Sequence, residues 1–385
     1  MATSNFLSHY ASLRDKEEFI TNGDYCIDTE EQLDDLINTY KPTEESHEEN
    51  EEASANNIEA VLKACEPKTP KYIFRGVNEA SYRLYTTAQR AYDELKLDIP
   101  YSDFIQFYID ETLNNQEICN YFEGKDYQIT DFLILSLLQH YGYPTPLLDF
   151  SYDIYSALFF AIDNMKEGNN DEEISDYVSL YIVNSANEDM FPKLFHVNQN
   201  DGETIQQILL VEGTPNPKFS QKTKRSFSTI PFQNYKDSLI LLVSGGADSA
   251  TRISIPNEIS VDFYNNNPNL ESQHGLFMYN SSYEKSLDRV IYKQSSYLYK
   301  DKIVCFNINK NLKKTIVTKY LEPRNINKET IYSDSDESKN IAKWLKKCNF
   351  PSMTDIYRCA KFRENIIKAS KEHVNTDNNF DENSL

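Results

Sequence analysis

Long apolar runs are missing from this 385-residue chain. No stretch approaches the roughly 18 apolar residues that a membrane span requires, and the mean hydropathy is −0.62. The N-terminus, MATSNFLSHYASLRDKEEF, has no charged start leading into an apolar core, so it does not read as a secretory signal. The expected location is cytoplasmic, with no membrane partner. Basic charge is also short: Lys and Arg total 39 against 60 Asp and Glu, a net −21. Holding nucleic acid through its phosphates takes a basic face, so bulk nucleic-acid binding is disfavoured. Cysteine is sparse, at Cys26, Cys65, Cys119, Cys305, Cys348 and Cys359, with no CxxC pair and no His at ligand spacing. No metal site and no disulfide framework is expected. Most of these cysteines read as small buried hydrophobes.

What is present suffices for a core. Aromatic residues make up 13% of the chain, including 27 Tyr and 21 Phe, which excludes a wholly disordered polypeptide. The length suits one large domain with appendages, or two domains. Acid concentrates at Glu44–Glu59 and after Glu372, and both segments read as solvated and self-repelling. The expected organisation is a polar N-terminal arm at 1–23 (a short helix or a frayed end), a domain at 24–350 containing an acidic loop at 43–59, and a C-terminal helix with an acidic disordered tail at 351–385.

The pattern predicts a helix over Thr29–Tyr40, capped by Thr29, with Leu33, Leu36, Ile37 and Tyr40 on one face. A short helix is expected near Ile58–Cys65. Lys71–Val77 reads as a strand ending in a turn at Gly76. Helices are expected at Arg83–Glu94, Tyr101–Ile118, Thr130–Tyr141 (stopped by Gly142 and Pro144) and Tyr155–Asn164, with a short buried strand at Leu147–Asp149. Beyond Gly168 the texture becomes strand-like: Tyr177–Asn184, Ile205–Val211, Ser238–Val243, Arg252–Ile255, Gly275–Tyr279, Arg289–Tyr292 and Lys302–Ile308. Helices return at Asn309–Tyr320 and Ser338–Cys348. Helices first and strands later, without regular alternation, predict an α+β fold: N-terminal helices packed on a mixed or antiparallel sheet.

Four constellations carry possible chemistry. Phe74-Arg75-Gly76 ends a strand. There Arg can aim its forked donors into a cleft while Gly lets a ligand approach the backbone, or Arg75 is simply a surface residue beside a turn. Gln139-His140-Tyr141-Gly142-Tyr143-Pro144-Thr145 runs into Leu147-Leu148-Asp149-Phe150-Ser151, gathering polar groups at the end of an apolar core. The bland alternative has Asp149 capping the helix near Tyr155. Glu271-Ser272-Gln273-His274 would put Glu271 and Gln273 on one face of a strand, or form an ordinary edge. Ser244-Gly245-Gly246-Ala247-Asp248-Ser249 is similar to the pyrophosphate loop of ATP pyrophosphatases. Its β-branched continuation, ending at Pro256, favours a hairpin turn with Gly-Gly at its tip.

The first three constellations, in this order, resemble the FRG domain family, named for its Phe-Arg-Gly motif. The resemblance extends through Tyr82, Leu84 and Arg90, the Gln139–Ser151 block, Ala157–Ala161, Gln273-x-Gly275-x-Phe277 and a closing helix at Ile341–Leu345. It spans roughly Cys26–Cys348. The chain departs from the family pattern at Val77, Pro146 and Phe150, and its acidic motif before the last helix is reduced to Asp334-Ser335-Asp336.

The layout of that family is similar to the split sheets of the ADP-ribosyltransferase superfamily. The resemblance implies an NAD-dependent transferase acting on a macromolecule, of toxin or phage-defence type, with an antitoxin or regulatory protein as partner and NAD consumed as substrate. The alternative is a non-catalytic module that binds a nucleotide or a partner. The resemblance implies catalytic roles for Gln273, Glu271 and Asp149. It implies cofactor contacts from Arg75, Gly76, His140, Tyr141, Thr145 and Ser151, with an aromatic wall from Tyr141, Phe150 or Phe277. Gln273 carries no charge, so the acid falls to Glu271 or Asp149. Gln139, His140, Thr145, Asp149 and Gln273 are therefore expected to converge with Arg75 on one cleft.

Overall fold

The computed structural model describes residues 9–20, 25–41, 72–124, 131–168, 173–184, 240–244, 253–255, 259–261, 273–280, 283–289, 303–332, 335–356 and 366–367. The acidic loop, the helix near Ile58–Cys65, the strand Ile205–Val211, the Gly-Gly loop after Ser244, Glu271, Asp334 and the acidic tail lie outside the described residues.

In chain order the elements are α1 (Leu13–Ile20), β1 (Cys26–Ile27), α2 (Glu30–Tyr40), β2 (Tyr72–Val77), α3 (Thr87–Leu95), α4 (Tyr101–Leu113), α5 (Gln116–Gly124), α6 (Asp131–His140), β3 (Leu147–Ser151), α7 (Ile154–Ile162), β4 (Tyr177–Asn184), β5 (Ile240–Ser244), β6 (Ile253–Ile255), β7 (Ile259–Val261), β8 (Gly275–Asn280), β9 (Ile303–Asn309), an irregular helical stretch at 310–324, α8 (Lys328–Ile331), α9 (Asp336–Leu345) and α10 (Met353–Ile356). The fold class is α+β, as the order of patterns predicts.

Capping residues set most of the helix boundaries. Thr29 and Gln32 form a capping box that starts α2, and Thr86 and Gln89 form another that starts α3. The second box explains why α3 begins at Thr87 and not at the expected Arg83. The predicted single helix Tyr101–Ile118 is two helices, because the Asn115 side chain accepts the backbone N–H groups of Glu117 and Ile118 and so caps a new start. The Asp153 carboxylate, not that of Asp149, caps α7 by accepting from Tyr155 and Ser156. Asp149 is thereby left for other work. Gly142 adopts φ +72, and Tyr143 N–H donates to Leu138 O while Gly142 N–H donates to Gln139 O. This is a Schellman stop that only a left-handed residue closes cheaply.

Seven strands form one mixed sheet in the order β1-β9-β4-β2-β3-β8-β5 among the described residues. The β1–β9 pair is parallel and all others are antiparallel. The strands flanking the Gly-Gly segment do not pair with each other, since β5 joins β8 and β6 joins β7. The expected hairpin is therefore not formed by those strands. Arg289, expected to open a strand, is helical instead. The expected helix Asn309–Tyr320 is a chain of short 3₁₀, α and π segments.

The sheet is nearly divided at its centre. β2 matches β4 over six residue pairs and β3 matches β8 over five, but β2 and β3 meet at a single pair, Phe74 and Ser151. Beyond that pair the two strands separate. Phe74 faces α7, in a cluster with Ala157, Leu158, Val178, Leu180, Ile182 and the apolar stripe of α2. A largely helical cluster from α3 to α6 and α9 packs against Leu147, Phe277 and Tyr279. A third cluster covers the opposite sheet face with Tyr10, Leu13, Ile73, Val77, Phe150 and Tyr181.

Part of the N-terminal arm belongs to this third cluster. The Lys16 side chain is fully buried, and its ammonium donates to Ala80 O, Ser179 Oγ and Asn307 Oδ1 at 2.9, 2.5 and 2.8 Å. Three donors meet three acceptors, which offsets the cost of burying the group and fixes α1 on the sheet. Cys119 and Cys305 are buried as small apolar groups, while Cys26 and Cys348 are half-buried.

Candidate functional site

A cavity of about 680 Å³ opens where β2 and β3 part. Its walls come from elements far apart in the chain: the segment before α1, β2 and the turn after it, α3, the end of α6, β3, the end of α7, the turn before β8 and the residue after α8.

Arg75 spans the parting strands. Its Nη1 donates to the backbone carbonyl of Asp149 at 2.5 Å and lies 3.8 Å from the Asp149 carboxylate. The guanidinium thus satisfies a carbonyl that the opened ladder leaves exposed. It also stands 6.0 Å above the Phe150 ring. Only 21% of the Arg75 side chain is exposed. Of the two readings, a cleft or a plain surface position, the side chain takes the first and sits in a half-enclosed seam, while the strand continues through Val77 past the expected turn at Gly76. Its Nε is buried with no hydrogen-bond partner. Burial lowers the Arg75 pKa, the Asp149 charge opposes that, and the like charge of Arg90 adds to it.

Gly76 lines the same cavity with its backbone. The absence of a side chain also serves a neighbour that the sequence does not reveal. A Cβ at this position would lie 1.8 Å from Ala157 O and 2.5 Å from Ala161 N, both backbone atoms of α7. Helix packing by itself demands the glycine.

Asp149 is held from behind by a relay. Gln139 Nε2 donates to Asp149 Oδ2 at 2.7 Å, and Thr145 Oγ1 donates to Gln139 Oε1. The Schellman stop brings α6 back toward β3, so a helix residue and a strand residue ten positions apart can share this bond. Gln139 and Thr145 thus hold the Asp149 carboxylate in one orientation. Ser151 Oγ donates to Gln273 O at 2.7 Å and accepts the Asp153 N–H at 2.9 Å, which pins the turn before β8. Gln273 Nε2 donates to Ile331 O at 3.1 Å and so fastens α8 to the same wall. Gln273 and His274 form a turn, not the predicted strand, and β8 begins only at Gly275.

The structure brings Arg75, Gly76, Gln139, His140, Asp149, Ser151 and Gln273 together on one cavity. Thr145 is fully buried behind the relay and is not part of the wall. Tyr141 turns away, and its hydroxyl donates to Ser338 O at 3.1 Å. Phe277 is buried in the helical cluster, so Phe150 supplies the aromatic wall of the three rings considered. Residues not singled out in the sequence also line the cavity, among them His9, Asp163 and Tyr332, and Arg90 of the family resemblance lines it too. Arg90 is carried to the cavity by α3. Asp163 and Asn164 close the expected helix Tyr155–Asn164, which in the structure ends at Ile162.

The electrostatics of the cavity oppose those of the chain. In a molecule of net −21, the wall holds Arg75, Arg83 and Arg90 against Asp149 and Asp163. Burial lowers the pKa of His9, and the charges of Lys166 and Arg90 press the same way. Burial likewise lowers the pKa of His140, opposed by Asp149. Both histidines are therefore neutral at neutral pH.

This has a measurable consequence. Below the ordinary value of 6.5 the unfolded chain protonates His140 while the folded chain resists. Stability then falls as pH drops through that window, because the unfolded state binds more protons. Melting temperatures taken between about pH 7.5 and about pH 5.5 should fall less steeply for His140→Gln than for the wild-type chain. Equal slopes would show that His140 is not desolvated.

Residues 70–170 match the family model of the FRG domain. The matched segment carries β2, α3 to α6, β3 and α7, and with them Arg75, the Gln139–Asp149 relay and Ser151. No curated protein and no solved structure matches the chain. No described helix is long and apolar enough to cross a membrane.

Proposed function

We propose that the FRG-domain cavity binds a phosphate-bearing nucleotide of the NAD class, and that the protein transfers ADP-ribose from NAD to a macromolecular acceptor. The observation that carries this reading is the buried Nε of Arg75, a charged donor without a protein partner at the seam of the split sheet. A phosphate oxygen is the partner such a guanidinium accepts best. Arg90 adds positive charge on the same wall, and a volume near 680 Å³ suits a small organic ligand, where pockets run from about 300 to about 1,000 Å³.

In the reaction, the bond from the ribose carbon to the nicotinamide nitrogen breaks, and its electron pair leaves with neutral nicotinamide. The acceptor nucleophile forms the new bond to that carbon and gives up its proton. Positive charge gathers on the ribose in between, and a nearby carboxylate stabilises it. Asp149 is the described cavity acid that stands closest to Arg75, held in place by Gln139. A toxin or phage-defence role would follow from this activity.

One observation favours a second reading, a binding module without turnover. The Asp149 carboxylate already accepts from Gln139 and faces Arg75 at 3.8 Å, so its charge is partly spent inside the protein. Calorimetry with NAD and an assay for released nicotinamide separate the two. Binding with release that is lost in Asp149→Asn supports the transferase. Binding with no release supports the module. No binding of NAD, ADP-ribose or ADP overturns both.

A further inference from the structure

The nucleotide reading leaves open what holds the base. Phosphate groups alone would occupy only part of a cavity of about 680 Å³, so the ligand has a bulky part and the wall needs a surface for it.

Tyr332 is one of two large hydrophobic side chains that stand exposed among the described residues, at 40%, and it lines this cavity. Its ring is open to solvent yet held in place from several directions. The hydroxyl donates to Asp163 Oδ2 at 3.2 Å. Asp163 is itself fixed by Lys328 at 2.9 Å. Phe159 and Phe160 meet the ring at steep angles, with centroids 6.1 and 6.2 Å away. The backbone just before it is anchored twice, by the Asn327 capping box that starts α8 and by the Gln273 amide on Ile331 O. An exposed aromatic ring normally keeps its rotamer freedom. This one has already lost it, so a ligand stacking there bears little further ordering cost.

We propose that Tyr332 is the base-stacking residue of the cavity: the base of a bound nucleotide lies on its ring, while the phosphates meet Arg75. This rests on the nucleotide reading and adds a residue that lies far outside the matched FRG segment. Gln273 ties the two ends together, since it stands beside Ser151 at the seam and holds the helix that carries Tyr332.

The test compares ADP with inorganic pyrophosphate, which differ by the nucleoside. Binding is measured by calorimetry on the wild-type chain, Tyr332→Ala and Tyr332→Phe, with melting temperatures confirming that each variant is folded. Tyr332→Ala should weaken ADP binding by about tenfold or more while leaving pyrophosphate binding unchanged, and Tyr332→Phe should retain most of the ADP affinity because it keeps the ring. If Tyr332→Ala binds ADP as the wild type does, or loses ADP and pyrophosphate equally, the stacking role is overturned and the nucleotide reading stands. If the wild-type chain binds neither ligand, the nucleotide reading itself falls and this inference with it.

Discussion

Arg75→Ala should weaken nucleotide binding by about 100-fold or more, the equivalent of about 2.7 kcal/mol, and leave the fold intact. The binding loss follows from position. Arg75 sits where β2 and β3 separate, already oriented by the Asp149 carbonyl and the Phe150 ring, with Nε facing no protein acceptor. Arg75→Lys should lose nearly as much, because an ammonium cannot hold the Asp149 carbonyl and a ligand oxygen in one planar fork. The near-neutral effect on stability comes from opposed terms. The variant loses a charge-assisted hydrogen bond, worth about 1.5–3 kcal/mol. It also relieves the protein of a largely buried guanidinium with an unmatched donor, a cost of similar size, about 1–3 kcal/mol. Calorimetry and thermal melting on the same samples decide the matter. Undiminished binding, or a variant that no longer folds, would show that Arg75 is a structural brace of the seam.

Much of the site was legible from residue types in their local pattern. The Gln139–Ser151 block reads as polar groups clustered at the end of an apolar helix, and the structure shows why they are tolerated there: Thr145, Gln139 and Asp149 satisfy one another in series. The strand Tyr72–Val77 and the apolar helix at Ile154–Ile162 follow from period and propensity, which act over a few residues. The pieces that escaped depend on tertiary placement. His9 lies in a polar arm with no periodic signal, and it is held at the cavity by its bridge to Tyr82, the Tyr10 N–H bond to Ser81 O and the buried Lys16 that docks the arm on the sheet. Tyr332 follows a four-residue helix too short to stand out, and its exposure is visible only once Asp163 and Phe160 are placed around it. Boundaries failed where a side-chain cap outranked propensity, as at Asn115 and Thr86. The packing demand on Gly76 escapes the sequence because it shows a missing side chain but not the helix backbone that requires it to be missing.

That neighbour makes Gly76→Ala a damaging substitution despite its small size. Strand alternation puts Phe74 and Gly76 on the face that α7 covers, and Arg75 on the other. A single methyl group at position 76 would stand 1.8 Å from Ala157 O, 2.5 Å from Ala161 N and 2.9 Å from Ala157 C. None of these is the flexible end of a side chain. All belong to the backbone of a helix whose Ala157 and Ala161 are themselves fully buried, so relief requires α7 to lift off β2. Overpacking commonly costs about 1–3 kcal/mol, and a contact with immovable backbone belongs at or above the top of that range. With an unfolding entropy of about 2.1 cal/mol/K per residue, 1 kcal/mol is worth about 1.2 °C in a chain of 385 residues, so the melting temperature should fall by about 4 °C or more. Lifting α7 also moves Phe160, Asp163 and Asn164, which line the cavity from its end, so binding should weaken along with stability. Gly124→Ala is the matched control, since a Cβ there meets nothing within 4 Å and its melting temperature should be unchanged. A Gly76→Ala protein that melts with the wild type would mean that α7 does not rest on β2 at this closeness, and the packing account of the Phe-Arg-Gly motif would be wrong.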